Sequence, residues 1–244
     1  MKTNLQEPVW NRQEDIACKP KFFRLSRRIA LTVLAAAGLN WTGALSVHCQ
    51  EPVPTIKVRV LNYARPTPTT VAAAERGAGQ LLRDAGLNVI WIDCQVGEPS
   101  DSRSGPCQQS LSSTEVLLRV LPDRYRNGIP DDAFGSSVPP VMANVYYDQA
   151  ARLATTEGYE VTSIFAGVIA HEIGHLMLGT GSHTEIGIMQ RHWGRIQLQL
   201  IRCGGLRFTP QQSKLIKAEG QRRMKMEMPR IIVASSINQD PATD

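Results

Sequence analysis

Apolar and polar side chains alternate from Ile56 to Asn62 (IKVRVLN), the period of a strand with one buried face. From Pro68 to Ala85 the period lengthens. Val71, Ala74, Ala78, Leu81 and Leu82 recur at helical spacing behind two cap candidates, Thr69 and Thr70, and Gly86 supplies a left-handed stop. Leu87–Asp93 (LNVIWID) and Glu115–Leu121 (EVLLRVL) read as a second and a third strand, the latter closed by Pro122. Arg124–Pro140 reads as a loop, in which Asp131 and Asp132 form a solvated turn, with calcium binding as the alternative. Met142–Asp148 (MANVYYD) alternates again as a fourth strand, and Thr162–Leu178 is an apolar helix. Trp193–Arg202 reads as a further helix. Thr209-Pro210-Gln211-Gln212 carries a cap, a proline at the first position and a glutamine at the third, and opens a helix running toward Met228. Its Arg222, Arg223 and Lys225 read as a solvated helix end matched to the helix dipole. The order of strands and helices predicts an α+β domain with a mixed sheet and a helical C-terminal part.

Composition narrows the class. With 244 residues, 42% hydrophobic and 20% charged, the chain is neither collagen-like, coiled-coil nor wholly disordered. The net charge of +5 sits mostly at the front: residues 1–46 hold seven Lys/Arg and three Asp/Glu, which leaves the rest close to neutral. No basic folded surface for nucleic acid is therefore expected. Lys19, Lys21, Arg24, Arg27 and Arg28 precede an uncharged run from Ile29 to Leu39, and Ala44-Leu45-Ser46 offers a cleavage site. This is the pattern of a secretory signal, with a twin-arginine look at Arg27-Arg28; the alternative is an uncleaved membrane anchor. The expected organisation is a leader over 1–46, one domain over 47–234 and a disordered tail over 235–244. The expected location is periplasmic or extracellular. Loss of the leader leaves Cys49, Cys94, Cys107 and Cys203. Cys94 and Cys107 flank a short Gly/Ser/Pro-rich loop and are the first disulfide candidates, which leaves Cys49 with Cys203.

The chemistry concentrates in His171-Glu172-Ile173-Gly174-His175, an HExxH pattern. Histidines at i and i+4 leave one helical face and can share a zinc ion. Glu172 lies beside that face, where it can take a proton from a zinc-bound water. Ile164, Phe165, Val168 and Ile169 place this helix inside the domain, where histidines and a glutamate need a metal or partners. A third ligand must come from beyond the helix. His183 is the candidate, because Gly179 and Gly181 let the chain reverse; Glu185 and His192 are the fallbacks.

These residues resemble the metzincin metallopeptidases, which combine HExxHxxGxxH with a methionine turn beneath the zinc. The resemblance is greater to a little-described group of secreted bacterial metzincin-like proteins. It is carried by WIDC (91–94), DAFG (132–135), ANVYYD (143–148), HEIGHLMLGTGSHTEIGIM (171–189) and FTPQQSKLI (208–216). It implies a zincin-like sheet with an active-site helix, zinc on His171, His175 and His183, Glu172 as general base and acid, and Met189 as the turn methionine. The chain departs from the usual motif in one respect: His183 follows His175 by eight residues, two more than in the pattern. Some metzincins also carry a tyrosine beyond the Met-turn, and this chain has none after Tyr159. Of Tyr146 and Tyr147, on the strand expected at the cleft, alternation lets only one face it. An exposed strand edge there could hold an extended peptide.

Two functions fit. The first is a monomeric secreted zinc endopeptidase acting on protein or peptide, membrane-associated only if the leader is kept. The second is a non-catalytic binding module stabilised by zinc.

Overall fold

The computed structural model describes residues 52–94, 96, 105–123 and 133–237. The leader, Cys49, Asp131, Asp132 and the residues after 237 lie outside the described residues. Five strands form one sheet: β1 (Thr55–Asn62), β2 (Asn88–Cys94), β3 (Glu115–Leu121), β4 (Gly135–Val138) and β5 (Met142–Tyr146), in the order β2-β1-β3-β5-β4. All pairings are parallel except β4 with β5, which is antiparallel with Ser137 opposite Ala143. The helices are α1 (Pro68–Asp84), α2 (Tyr147–Glu157), α3 (Val161–Leu178), α4 (Arg195–Arg202) and α5 (Pro210–Ile237). The mixed α/β architecture is the one expected from the strand and helix pattern.

The alternation in β1 puts Ile56, Val58 and Val60 into the core. The other face holds Arg59, also buried, whose guanidinium donates to Glu115 Oε2 at 2.6 Å and to the Gln109 carbonyl. A buried arginine is tolerated because its charge is paired and its two terminal nitrogens find acceptors, although Nε has none. α1 begins at Pro68, and its cap is Thr67 rather than Thr69 or Thr70: Thr67 Oγ1 accepts from the Thr70 amide at 3.2 Å. Thr67 is the residue with extended backbone just before the first helical position, where a cap must lie. Beyond α1, Gly86 adopts the left-handed conformation expected of it (φ +84°).

The loop expected over 124–140 contains an edge strand. β4 spans Gly135–Val138, and its sequence, GSSV, carries too few apolar residues to show an alternation. The strand expected over Met142–Asp148 ends at Tyr146, and Tyr147 opens α2. β5 is therefore interior, and the edge belongs to β4. Neither tyrosine faces the cleft. Tyr146 is buried with its hydroxyl 2.8 Å from Ser136 Oγ, and Tyr147 packs edge-on against Phe165.

α3 is apolar all round because it is enclosed, by α1, α2, α4, α5 and strands β4 and β5. Among the described residues it is the one helix long and apolar enough to cross a membrane, and most of it is buried inside the fold. α5 opens with the expected reciprocal cap: Thr209 Oγ1 accepts from the Gln212 amide, and the Gln212 side chain accepts from the Thr209 amide at 2.9 Å. The helix runs past Ser235 to Ile237, so Arg223 is no helix end. Nor is it solvated: Arg223 is buried and donates to the carbonyls of Pro140 (2.9 Å) and Leu176 (2.8 Å), because the last turn of α3 leaves carbonyls that need donors. Cys94 and Cys107 form a disulfide. Cys203 is disulfide-bonded as well, and its expected partner Cys49 is not among the described residues.

Candidate metal centre

α3 carries His171 and His175 one turn apart, and both rings leave toward one cavity of about 480 Å³. The helix ends at Leu178. Gly179 (φ +85°) and Gly181 (φ +72°) then reverse the chain through backbone conformations that side chains with a Cβ resist. This reversal brings His183 back to the helix despite the two extra residues. His175 Nε2 lies 3.1 Å from His171 Nε2 and 3.2 Å from His183 Nε2, and one ring nitrogen from each of the three lies within 4.8 Å of the others. Neither Glu185 nor His192 belongs to this cluster. Glu185 is exposed on the loop, and His192 lines the cavity beside it.

The outer nitrogens are committed. His171 Nδ1 is 2.8 Å from the Ile188 carbonyl, which can only accept, so Nδ1 carries the proton and Nε2 presents a lone pair. The same carbonyl accepts from Trp193 Nε1 at 3.3 Å. His175 Nδ1 lies 2.8 Å from Ser182 Oγ. Burial, chiefly, holds both His171 and His175 down to about 4, and lowers the half-buried His183 as well. Three imidazoles whose Nε2 atoms converge, with that of His171 turning a lone pair inward, are a donor set for a cation. Tetrahedral zinc with Zn–N near 2.05 Å would set its nitrogens about 3.3 Å apart, close to the spacing of the two nearest pairs.

Glu172 is buried and turns toward β4. Its Oε2 lies 2.5 Å from Ser137 Oγ, and that hydroxyl also lies 3.0 Å from the Glu172 carbonyl oxygen. Burial raises the Glu172 carboxyl to about 7, against a smaller opposing effect of the Ser137 bond. Gly135 makes room for it: a Cβ there would fall 2.6 Å from Glu172 Cγ and Cδ and from the Asn144 carbonyl oxygen. Beneath the histidines, Met189 is fully buried, and Gly174 admits it to the helix face, since a Cβ there would meet Met189 Sδ at 2.7 Å. The Thr184 amide donates to the Met189 carbonyl, closing a tight turn under the site.

The sequence reading missed Ser137, Gly135, Ser182 and Trp193. Ser137 and Gly135 lay in the stretch read as a loop. Ser182 and Trp193 act through a hydroxyl and an indole that no spacing rule singles out.

No family model and no curated protein matches this sequence. Among solved structures, the chain is similar to an archaemetzincin from Methanopyrus kandleri, with 16% identity and a TM-score of 0.47, over 70% of this chain and 96% of that one. It is similar to a zinc-dependent peptidase from Methanocorpusculum labreanum, with 17% identity and a TM-score of 0.45, over 65% of this chain and 99% of that one. A third similarity is to metalloproteinase-II from Bacteroides fragilis, with 14% identity and a TM-score of 0.36, over 64% of this chain and 54% of that one.

Proposed function

We propose that this chain is an exported zinc-dependent endopeptidase of the metzincin-like kind, related to the secreted bacterial group its motifs resemble. The observation that carries the reading is the convergence of His171, His175 and His183 nitrogens in a cavity that also holds a buried glutamate. His171, His175 and His183 would hold zinc, which would supply a Lewis acid to polarise a peptide carbonyl and make water a better nucleophile. Glu172 takes the proton from the attacking water and returns it to the leaving amine. Its carboxyl, brought to about 7 by burial, is suited to both directions near neutral pH. Ser137 fixes that carboxyl against the edge strand. Phe134, Pro139 and Trp193 supply apolar wall against which a peptide can pack.

A non-catalytic zinc module would require no general base beside the metal. The open cavity and the placement of Glu172 favour the enzyme.

The test is zinc content together with turnover. Wild type is expected to hold one zinc per chain and to cleave peptides. His183→Ala is expected to lose most of the metal. Glu172→Gln is expected to keep it and lose cleavage by about 10²-fold or more, the usual scale for removing a general base. Equal cleavage by wild type and Glu172→Gln sinks the reading. Bound zinc with no turnover of any peptide favours the binding module.

A further inference from the structure

The cavity holds one group that the proposed chemistry leaves unused. Arg191 stands in its wall, two residues beyond the buried Met189 and exposed on the cavity side of the turn. Among the described residues it makes no hydrogen bond or ion pair. Three other arginines have carboxylate partners: Arg59 in Glu115, Arg223 in Glu219 and Arg207 in Asp84. Arg191 is also close enough to the histidine cluster for its charge to bear on both His175 and His183. A fixed cation there opposes a divalent metal on the same histidines. The only carboxylate among the described residues lining the cavity is Glu172, and it is held by Ser137. The cavity therefore has a cationic wall and nothing of its own to neutralise it.

We propose that Arg191 selects substrates bearing a carboxylate beside the bond to be cut, so that the cleft prefers acidic peptides. The inference rests on the peptidase reading above. A guanidinium offers a planar pair of donors that matches a carboxylate, and a cleft partly shielded from water strengthens the pairing. The carboxylate has two possible sources, an Asp or Glu side chain of the substrate or a free peptide C-terminus.

Binding and cleavage separate the two claims. Fluorescent peptides carrying Asp or Glu, their Asn or Gln counterparts, and Lys versions are titrated against zinc-loaded Glu172→Gln protein, each with a free and an amidated C-terminus. Acidic peptides are expected to bind roughly tenfold to a hundredfold more tightly than the amide counterparts, the scale of one charge-assisted hydrogen-bonded pair. Adding Arg191→Ala is expected to erase that ratio, Arg191→Lys to restore part of it, and Arg191→Glu to reverse it in favour of Lys peptides. Melting temperature and zinc content of each variant show that the fold and the metal remain. Binding that weakens on C-terminal amidation whatever the side chain assigns the carboxylate to the chain end; an acidic preference that persists in amidated peptides assigns it to the side chain. Equal binding of acidic and amide peptides that is also indifferent to C-terminal amidation, a carboxylate preference that survives Arg191→Ala, or no peptide binding at all overturns the inference. Wild type that cleaves without acidic preference overturns it while leaving the peptidase reading intact. Acidic preference in binding with no cleavage by wild type does the reverse.

Discussion

Gly135 and Glu172 meet across the gap between the edge strand and the site helix, and the glutamate side chain occupies the space a Cβ on Gly135 would need. Gly135→Ala places a methyl group where Glu172 Cγ and Cδ now lie. The strand cannot yield, because the same methyl would also strike the Asn144 carbonyl of its neighbour. The glutamate must move, and its bond to Ser137 goes with it. The expected outcome is a stability loss of about 1–3 kcal/mol with a fall in turnover of tenfold or more and zinc content unchanged, read by urea unfolding, peptide cleavage and metal analysis. A second residue-scale expectation concerns Glu75, buried on α1 against Asp93, with Oε1 lacking any hydrogen-bond partner. Burial first, and the nearby Asp93 second, raise its carboxyl to about 8. The folded state therefore holds this proton more tightly than the unfolded chain, whose glutamate titrates near 4.5. Stability is unaffected below the unfolded value and falls as pH climbs from about 4.5 toward 8, by up to ~1.4 kcal/mol per unit. Glu75→Gln has no such titration. Its stability relative to wild type, measured by denaturant unfolding, is expected to improve by a few kcal/mol between pH 5 and pH 8. No relative change across that range contradicts the assignment.

The elements divide by how strongly their pattern departs from chance. β1, β2 and β3 carry clear runs of β-branched and aliphatic side chains, and α1 and α3 carry theirs over four turns or more, so all five lie within a residue or two of where the sequence puts them. β4 was hidden because an edge strand buries little: GSSV needs no apolar face, only backbone pairing with β5. α2 was hidden because the alternation of MANVYYD runs two residues past the end of the strand, and YDQAARLATTE follows with only Ala150 and Ala154 fully buried. The site shows the same division. His171, Glu172 and His175 have a fixed spacing and were legible, whereas His183, two residues beyond the usual spacing, stood as the first of three candidates. The hydroxyls and the glycine that hold them were not, since any serine fits a loop equally well. The capping box of α5 was legible and has more to do than start a helix. Gln212, while accepting from Thr209, also donates to Thr184 Oγ1, next to His183. Thr209→Ala is therefore expected to cost about 1 kcal/mol, or roughly 2–4 °C in melting temperature, and to weaken zinc affinity through the loop. Differential scanning calorimetry and a chelator competition read the two effects separately.

At the scale of the molecule, the sheet, the site helix and the loop bearing His183 are built from distant parts of the chain. Two of the three histidines belong to α3 and the third to a glycine-rich turn, so an ion held by all three would link core to surface. Removing the metal is expected to lower the melting temperature by roughly 10 °C, the shift for a ligand held a thousandfold above its dissociation constant in a domain of this size. Titration with a chelator under a thermal scan gives the number, and an unchanged transition argues that the histidines hold no ion. The Cys94–Cys107 bridge sits elsewhere: it closes the loop after β2, at the far edge of the sheet from β4.

Arg223 sets an order of events. The carbonyl of Leu176, in the last turn of the helix that carries the histidines, and that of Pro140, in the turn leading out of the edge strand, both end on one guanidinium near the far end of the sequence. A ribosome delivers residues 135–183 first and Arg223 some seconds later, at about 5–20 residues per second. During that interval the two walls of the cleft exist without the cation that joins them. The tie between the two walls thus arrives late in synthesis, after the strands, the histidines and Met189.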